Sequence, residues 1–301
     1  MREIARIMKR SKNTIVGELA RCPKGTYNPI KADKQAQKRR HKEKGGRLTR
    51  DIEAAALVIE KLRLRWTPER ISGWLRRVEH AFQISTGAIY RFIRSKLGLK
   101  LGLHRLLPRH WKHRRKGRAK QAGKSLIPNR RAISERPLAV EDRSEFGHWE
   151  ADTVIGRRST GWAILTIVER RSRYYVAYKI ASTKKEDVTR ALKAFMREFE
   201  GLVKTITFDN GLEFAGHAEL HAFGVETFFA EPYSSWQRAT NENCNGLLRR
   251  FIPKGADLRL FTAQDVIDAA ASINSWPKKC LEYATPTEVF AMLGETGEVA
   301  R

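Results

Sequence analysis

Apolar residues at the start of the chain recur at helical spacing. Ile4, Ile7 and Met8 share one face of a predicted helix, and Ser11 is a typical N-cap for a second helix that carries Ile15. Two short helices joined by a tight connection are typical of a helix-turn-helix unit, whose second helix enters the major groove of DNA. A plain helical hairpin has the same pattern and is the alternative.

A second pair of helices is predicted further along the chain. Thr67 and Pro68 form a helix start, and Ser85 caps a helix whose apolar stripe contains Ile89 and Phe92. The first pair lacks the further helix that normally precedes such a unit, so we expect it to be truncated. The side chains expected to contact DNA are Lys12, Asn13 and Thr14 in the first pair and Thr86, Tyr90 and Arg91 in the second.

After Gly147 the apolar positions change from helical to strand spacing. The runs HWEADTVIG, WAILTIVER and RYYVAYKI are separated by short polar turns, which predicts an antiparallel meander. Further along we predict a helix over 185–199, a strand over 203–209, a short helix, a strand over 225–230 and a helix over 235–251. This order predicts an α/β ribonuclease-H-like catalytic domain with a mixed five-stranded sheet, preceded by an all-α helix-turn-helix DNA-binding region.

Two polar, basic stretches lie between the predicted elements. Residues 23–50 are interpreted as a linker or a phosphate-contacting arm, and residues 104–131 as a linker that lies along DNA backbone phosphates. We therefore expect four parts: a truncated helix-turn-helix with a basic arm (1–50), a second helix-turn-helix (51–103), a basic linker (104–140) and the catalytic domain (141–301).

The charge is distributed very unevenly along the chain. The 301 residues carry a formal net charge of +26. Residues 1–140 hold 38 Lys and Arg against 10 Asp and Glu, whereas residues 141–301 hold 21 against 23. This imbalance predicts a polyanion-binding front part joined to a nearly neutral domain. The three scattered cysteines indicate neither a disulfide framework nor a thiolate metal site, and no apolar run approaches the length of a membrane span.

Three acidic residues of the second half stand in contexts that favour a metal site. Asp152 interrupts an apolar strand, Asp209 ends another strand just before the turn residues Asn210 and Gly211, and Glu242 lies on a predicted helix. Carboxylates that converge after folding bind hard divalent cations, and two such cations can clamp the attacking and leaving oxygens of a phosphodiester. Each acid taken alone is more typical of solvated surface or a helix cap.

The predicted helix that carries Glu242 also has a polar stripe. Gln237, Asn241, Asn245 and Arg249 recur every four residues, and Glu242 lies about 100° from Asn241 around the helix axis. We expect this stripe to hold the DNA strand that is cut. A solvated helix face is the alternative interpretation.

Five motifs occur in order between about residues 130 and 290. They are IPNRRAISERP, FGHWEADTVIG, FDNGLEFAGH, YSSWQRATNENCNGLLRRFIPKG and YATPTEVF. In these motifs the chain resembles the insertion-sequence thirty family, within the DDE transposase and integrase superfamily. It departs from the usual family pattern at Ala239, where glycine is usual, and at Cys244, where a small polar residue is usual.

The resemblance implies a DNA transposase that binds terminal inverted repeats and catalyses metal-dependent strand cleavage and strand transfer. It implies that Asp152, Asp209 and Glu242 are the catalytic triad and bind two divalent metal ions, Mg²⁺ or Mn²⁺. The expected partners are double-stranded DNA, both terminal repeats and target, and further copies of the chain assembled on it. The expected location is the bacterial cytoplasm, at the nucleoid, and no membrane is expected as a partner.

Two other function classes fit the same residues. A structure-specific metal-dependent nuclease of the same fold would use the three acids without joining strands. A non-catalytic regulator would use only the helix-turn-helix units.

Overall fold

The computed structural model describes residues 1–23, 25–41, 46–108, 127–231 and 234–295. Within it the chain divides into two compact units, residues 1–55 and 56–301. Residues 109–126 of the predicted basic linker lie outside the described residues, as do residues 42–45 of the predicted basic arm. The four-part division predicted from the sequence stays a prediction.

The first unit is helical. Its helices are α1 (Arg2–Ile7), α2 (Lys12–Leu19), α3 (Pro29–His41) and α4 (Arg47–Arg50). Ser11 caps α2 as predicted, because its side chain accepts a hydrogen bond from the Thr14 backbone N–H at 3.1 Å. Ala5 and Ile15 are buried, whereas Ile4 and Ile7 are exposed. The apolar spacing therefore indicated the helix correctly but not its packed face.

Residues 29–41 form a helix that the sequence analysis did not predict, and the role of this segment as a linker or phosphate-contacting arm stays a prediction. The sequence of α3 is rich in lysine, arginine, glutamine and alanine, which all favour helix. It has almost no apolar residues, and a search for apolar periodicity misses such a helix.

The second unit begins with a helical segment. Its elements are α5 (Ile52–Arg63), in which the division between the units falls, α6 (Pro68–Arg77), α7 (Thr86–Ile93), α8 (Lys96–Lys100) and a 3₁₀ turn over Leu103–Leu106. Both predicted caps are confirmed: the side chain of Thr67 accepts from the Arg70 N–H at 3.4 Å, and that of Ser85 accepts from the Ala88 N–H at 3.3 Å. Helices α6 and α7 pack against each other, and Leu75 of α6 and Ile89 of α7 are fully buried.

A short helix, α9 (Leu138–Asp142), precedes a five-stranded sheet. The strands are β1 (His148–Ile155), β2 (Ala163–Glu169), β3 (Tyr175–Ile180), β4 (Thr205–Phe208) and β5 (Glu226–Phe229). Their order in the sheet is β3-β2-β1-β4-β5. Strands β1, β2 and β3 pair antiparallel, whereas β4 pairs parallel with β1 and β5 pairs parallel with β4. This arrangement confirms the predicted ribonuclease-H-like fold with a mixed sheet.

Four longer helices complete the unit. They are α10 (Lys185–Glu198), α11 (Ala239–Leu248), α12 (Ala263–Asn274) and α13 (Pro286–Glu295). The single helix predicted over 235–251 is wrong at both ends, since Ser235–Arg238 is a 3₁₀ turn and α11 ends at Leu248. Arg238 is the last residue of the 3₁₀ turn and the N-cap residue of α11. Its φ of −122° and ψ of 36° are not helical, so the helix cannot continue through it.

Alternation along β1 gives the two faces of the sheet different chemistry. Trp149 and Ala151 point into the apolar core with Phe195 of α10. Glu150 and Asp152 point to the opposite face and contact α11. Because successive strand side chains alternate between faces, one short segment supplies both the core and the acids.

Candidate active site

Asp152 lies within β1, directly opposite Thr166 of β2. Its side chain is 24% exposed. Oδ1 accepts the Thr153 backbone N–H at 2.9 Å, and Oδ2 accepts Nδ2 of Asn245 at 3.0 Å. The carboxylate is therefore held by donors from its own strand and from α11.

Asp209 follows the last residue of β4, the strand parallel to β1. One of its oxygens accepts the Gly211 backbone N–H at 3.0 Å. The turn is fixed by Asn210, which donates to the carbonyl of Ala230 at 2.6 Å and accepts from Nε of Arg130 at 2.9 Å. The predicted position of Asp209 at a strand tip is confirmed.

One arginine lies between these two carboxylates. Nη1 of Arg238 is 3.6 Å from Oδ1 of Asp152, and Nη2 is 3.4 Å from Oδ2 of Asp209. Nη1 also donates to the carbonyl of Ala151 at 3.2 Å, while Nε is buried and has no hydrogen-bond partner in the described part of the chain. The two acids thus share a single positive charge.

Burial raises the pKa of Asp152 to about 6. The guanidinium of Arg238 opposes this shift, and the negative charge of Asp209 adds to it. A carboxyl group that is desolvated and close to a second carboxylate favours its neutral form, and a cation at the same place restores the charged form. The site consequently favours binding of positive charge.

Glu242 lies in the first turn of α11 and is exposed. The start of this helix is fixed by Asn241, which is fully buried. The Asn241 backbone N–H donates to Oε2 of Glu150 at 3.0 Å, and Nδ2 donates to the carbonyls of Glu150 at 3.0 Å and Thr166 at 3.3 Å. Oδ1 accepts from the Thr166 hydroxyl at 3.2 Å. The predicted DNA contact at Asn241 is therefore wrong, because its side-chain amide is buried and hydrogen-bonded within the protein.

Glu150, which accepts the Asn241 backbone N–H at the start of α11, belongs to a buried ion pair. Its Oε1 pairs with Nη1 of Arg170, and the two side chains are 0% and 4% exposed. Arg170 also donates through Nε to the carbonyl of Val140 at 2.9 Å. A buried pair survives only if its remaining hydrogen bonds are satisfied, and here the Asn241 N–H supplies one of them.

Asn245 and Arg249 of the polar stripe also face the sheet. The hydroxyl of Tyr175 donates to Oδ1 of Asn245 at 2.9 Å, which directs Nδ2 of that amide towards Asp152. Arg249 donates to the carbonyl of Ile155 at 3.2 Å, and Oε1 of Gln237 accepts the backbone N–H of residue 231 at 2.7 Å. The solvated-face alternative is therefore wrong for Asn241 and Asn245, whose amides bond to groups of the sheet. DNA contact by Gln237, Asn245 and Arg249 stays a prediction.

Known proteins match this chain over nearly its full length. Residues 142–235 match the family model described as an integrase core domain. The chain is 35% identical over 303 residues to the transposase InsI for insertion sequence element IS30A of Escherichia coli K12, which covers 96% of this chain and 78% of that protein. It is 33% identical over 304 residues to the transposase for insertion sequence element IS4351 of Bacteroides fragilis, covering 99% and 91%.

The chain belongs to the insertion-sequence thirty family of transposases. Among solved structures, the catalytic core domain of BIV integrase aligns with 50% of this chain and 97% of that one, with a TM-score of 0.40 and 18% identity. The identity to the two insertion-sequence transposases confirms the predicted family.

Integrase-type domains of this kind generally use divalent metal ions. The chemistry of Asp152 and Asp209 fits such an ion, since both are oxygen donors and already share a cation. Across the described ranges, however, no three His, Cys, Asp or Glu side chains are grouped so that they could hold a metal ion. The structure thus brings Asp152 and Asp209 to one shared arginine, and the place of Glu242 in the triad stays a prediction.

The residues expected to read DNA lie on the predicted helices. Lys12, Asn13 and Thr14 are exposed in the first turn of α2. In α7, Arg91 is exposed, whereas Thr86 and Tyr90 are half-buried. Their roles in this transposase stay predictions.

Sequence reasoning missed three residues of this site. Arg238 joins the two aspartates, Glu150 anchors α11, and Tyr175 orients Asn245. Arg238 and Glu150 lie inside the family motifs, next to the residues that were singled out. No pattern in the sequence indicated Tyr175, because its partner is 70 positions away.

Proposed function

We propose that this transposase binds the terminal inverted repeats of its element, cleaves DNA strands at the element ends and joins them to target DNA. The observation that carries the proposal is the pair of carboxylates, Asp152 and Asp209, on adjacent parallel strands with one cation between them. Adjacent strand ends bring groups from distant parts of the chain to one edge, where a phosphodiester can be held.

In this proposal Asp152, Asp209 and Glu242 hold two divalent ions, Mg²⁺ or Mn²⁺. When bound, such ions lower the pKa of an attacking water or hydroxyl and stabilise the leaving oxygen. Glu242 would supply the third carboxylate from the first turn of α11, the helix that also holds Asp152 through Asn245. Arg238 lies between Asp152 and Asp209, where the ions would bind, so it must release both aspartates when they do.

The surrounding residues prepare the carboxylates for this role. Asn245 fixes the orientation of Asp152, and Tyr175 fixes the orientation of Asn245. Once released, the guanidinium of Arg238 remains near the phosphodiester and can stabilise negative charge there. Gln237 and Arg249, at the two ends of the stripe, contact the cut strand.

The DNA partner is recognised by the helical segments. Lys12, Asn13 and Thr14 of α2 and Thr86, Tyr90 and Arg91 of α7 contact terminal-repeat DNA, and further copies of the chain assemble on the two element ends. The protein acts in the bacterial cytoplasm, at the nucleoid. None of the helices in the described segments is long and apolar enough to cross a membrane.

The test uses the full chain with DNA that contains an element end, random DNA and Mg²⁺. We expect cut and joined products from the wild type. Asp152→Asn, Asp209→Asn and Glu242→Gln, each alone, should abolish both reactions and leave DNA affinity nearly unchanged. A variant that keeps near-normal cleavage removes that residue from the triad.

The same assay separates the two alternatives. Cleavage without joining, and without preference for the element end, identifies a structure-specific nuclease. Binding without any metal-dependent cleavage identifies a regulator.

A further inference from the structure

A cleft of about 580 Å³ runs beside the C-terminal half of α11. It lies within the second unit, between this helix, the segment Leu106–Pro108 and the start of α6. The arginines that line it are Arg65, Arg70, Arg105, Arg249 and Arg250. No acidic residue lines the cleft, and in the described part of the chain none of these guanidinium groups forms a salt bridge.

Neutral groups hold the arginines at the centre of the cleft. Nη1 of Arg250 donates to the carbonyl of Arg65 at 2.7 Å, and Nη1 of Arg65 donates in return to the carbonyl of Arg250. Arg70 and Arg250 lie over the ring of Trp276, with their Cζ atoms 4.8 Å and 4.9 Å from its centroid. Carbonyls and an aromatic face fix the geometry without cancelling the positive charge.

The local charge is left unbalanced. Burial lowers the pKa of Arg250 to about 10, and the charges of Arg70 and Arg65 add to the shift. Nη1 of Arg70 is buried and has no hydrogen-bond partner among the described residues. An anion in the cleft relieves the repulsion and provides an acceptor for Arg70, and an anion with several oxygens can serve more than one guanidinium group at once.

The cleft is close to the candidate active site along one rigid element. Glu242 lies in the first turn of α11, whereas Gly246 lines the cleft and Arg250 follows the end of the helix. The eight residues from Glu242 to Arg250 span about 12 Å at the rise of a helix, a length that a DNA strand covers in three to four nucleotides at roughly 3.4 Å each. A phosphate in the cleft therefore belongs to the same strand segment that enters the site.

We propose that this arginine cleft binds a backbone phosphate of the DNA duplex whose cut strand lies at the candidate active site. The position of the cut strand in this inference rests on the proposed function. The phosphate site itself does not depend on it. Fork-shaped guanidinium groups match phosphate oxygens bidentately and carry no base information. The cleft thus sets the register of the strand without reading its sequence.

Two positions test the cleft without disturbing its centre. Arg105 is exposed on the Leu103–Leu106 turn, so Arg105→Ala removes one charge from the rim. Gly246 is exposed and has open space where a Cβ would lie, so Gly246→Glu places a negative charge in the cleft and Gly246→Gln places the same bulk without charge. Arg190→Ala is the matched control, since Arg190 is 77% exposed on α10.

The experiment measures the affinity of the full chain for end-containing and random duplexes over a range of salt concentrations. We expect Arg105→Ala to reduce the slope of log affinity against log salt by roughly 0.9, the value for one phosphate contact. Gly246→Glu should bind both duplexes at least severalfold more weakly than Gly246→Gln. Arg190→Ala should retain the wild-type slope.

A second arm places a single neutral methylphosphonate at successive positions of the strand near the cut. We expect it to weaken wild-type binding at one or two positions three to four nucleotides from the cut, as the spacing along α11 requires. At those positions it should have a smaller effect on Arg105→Ala. Inorganic phosphate alone, titrated with the same variants, separates a site for any free phosphate from one that serves DNA.

Two outcomes overturn the proposal. In the first, DNA affinity and salt slope are equal for Gly246→Glu, Gly246→Gln and Arg105→Ala. In the second, these changes abolish binding of inorganic phosphate while DNA affinity stays constant. Cleavage by the wild type, measured in the same samples, tests the proposed function separately. Normal cleavage without a phosphate contact in the cleft shows that the cleft proposal is wrong. A phosphate contact in the cleft without cleavage shows that the proposed function is wrong.

Discussion

The two faces of the sheet are both buried, yet they are built from opposite chemistry. The face under α10 is apolar: Trp149 and Phe208 of the sheet lie in one core with Phe195 of the helix. The face under α11 carries Glu150, Asp152 and Thr166, whose side chains bond to Asn241 or Asn245 of that helix. An apolar face tolerates changes of shape, whereas a buried polar face fails when one partner is lost. The difference explains how one small domain can keep a stable core and still hold carboxylates in fixed orientations.

The largest expected effect comes from breaking the polar face at its ion pair. Glu150→Leu leaves Arg170 and the Asn241 N–H without their partner, and we expect it to cost about 3–5 kcal/mol of the free energy of unfolding. On the apolar face, Phe195→Leu should cost only about 1 kcal/mol. Urea denaturation of the two variants, followed by tryptophan fluorescence, measures the contrast.

A double variant serves as the control for that contrast. Glu150→Leu with Arg170→Met removes the unpaired charge, and it should recover most of the lost stability. Equal costs for Glu150→Leu and Phe195→Leu would contradict the distinction between the faces.

The next effect concerns metal binding. Asn245 was expected from the sequence to contact DNA alone, but it holds Oδ2 of Asp152. Asn245→Ala should therefore weaken Mg²⁺ binding by about 10–100-fold, as is typical when the partner of a metal ligand is removed. Tyr175→Phe, which removes only the hydroxyl that orients this amide, should cause a smaller loss in the same direction.

Arg249→Ala separates metal binding from DNA contact. It should reduce cleavage and leave Mg²⁺ affinity unchanged, because Arg249 contacts the Ile155 carbonyl and no carboxylate of the site. Calorimetric titration with Mg²⁺ and cleavage rates against Mg²⁺ concentration give both quantities. Wild-type Mg²⁺ affinity in Asn245→Ala would show that the hydrogen bond to Asp152 does not position a ligand.

The pH dependence of stability tests the desolvation of Asp152. Its pKa is raised from 3.8 to about 6, so its contribution to stability is fully present below 3.8 and is lost as the pH rises to about 6. Asparagine does not titrate in this range, so the Asp152→Asn variant does not lose stability in this way as the pH rises. At neutral pH we expect the metal-free variant to be more stable than wild type by about 2 kcal/mol, a value reduced for partial solvent screening.

Denaturation curves between pH 4 and 7.5 measure this difference. The gap between Asp152→Asn and wild type should widen up to about pH 6 and then stay constant. Asp257→Asn is the control: Arg259 lowers the pKa of Asp257 to about 2, so its titration lies below this range. A constant gap from pH 4 upwards would mean that Asp152 is not desolvated.

The smallest expected effect comes from the cation between the aspartates. Arg238→Ala removes a charge that a divalent ion must displace, so Mg²⁺ affinity should rise by roughly two- to tenfold, given the modest strength of such ion pairs. Calorimetry on the metal-free protein measures it, and Arg259→Ala is the surface control. A fall in Mg²⁺ affinity would instead make Arg238 part of the metal-binding arrangement.

The sequence predicted the fold well because its signals are local. Alternating strands, the caps Ser11, Thr67 and Ser85 and the turn after Asp209 all act within a few residues, and each was found where expected. The helix α3 was missed because it is highly charged and has no apolar period. The break at Arg238 was missed because that residue is placed by two distant carboxylates.

By itself the sequence determined the order of the strands and helices of the sheet domain, the family, the uneven charge and the strand positions of Asp152 and Asp209. Only the tertiary structure decided which way the polar stripe faces, that Asn241 is buried, that Arg238 joins two aspartates and that five arginines share one cleft. The physical reason is distance along the chain. Periodicity and capping are set by neighbours within one or two helical turns, whereas Asn245 and Asp152 are 93 positions apart and meet only because the sheet and α11 pack together.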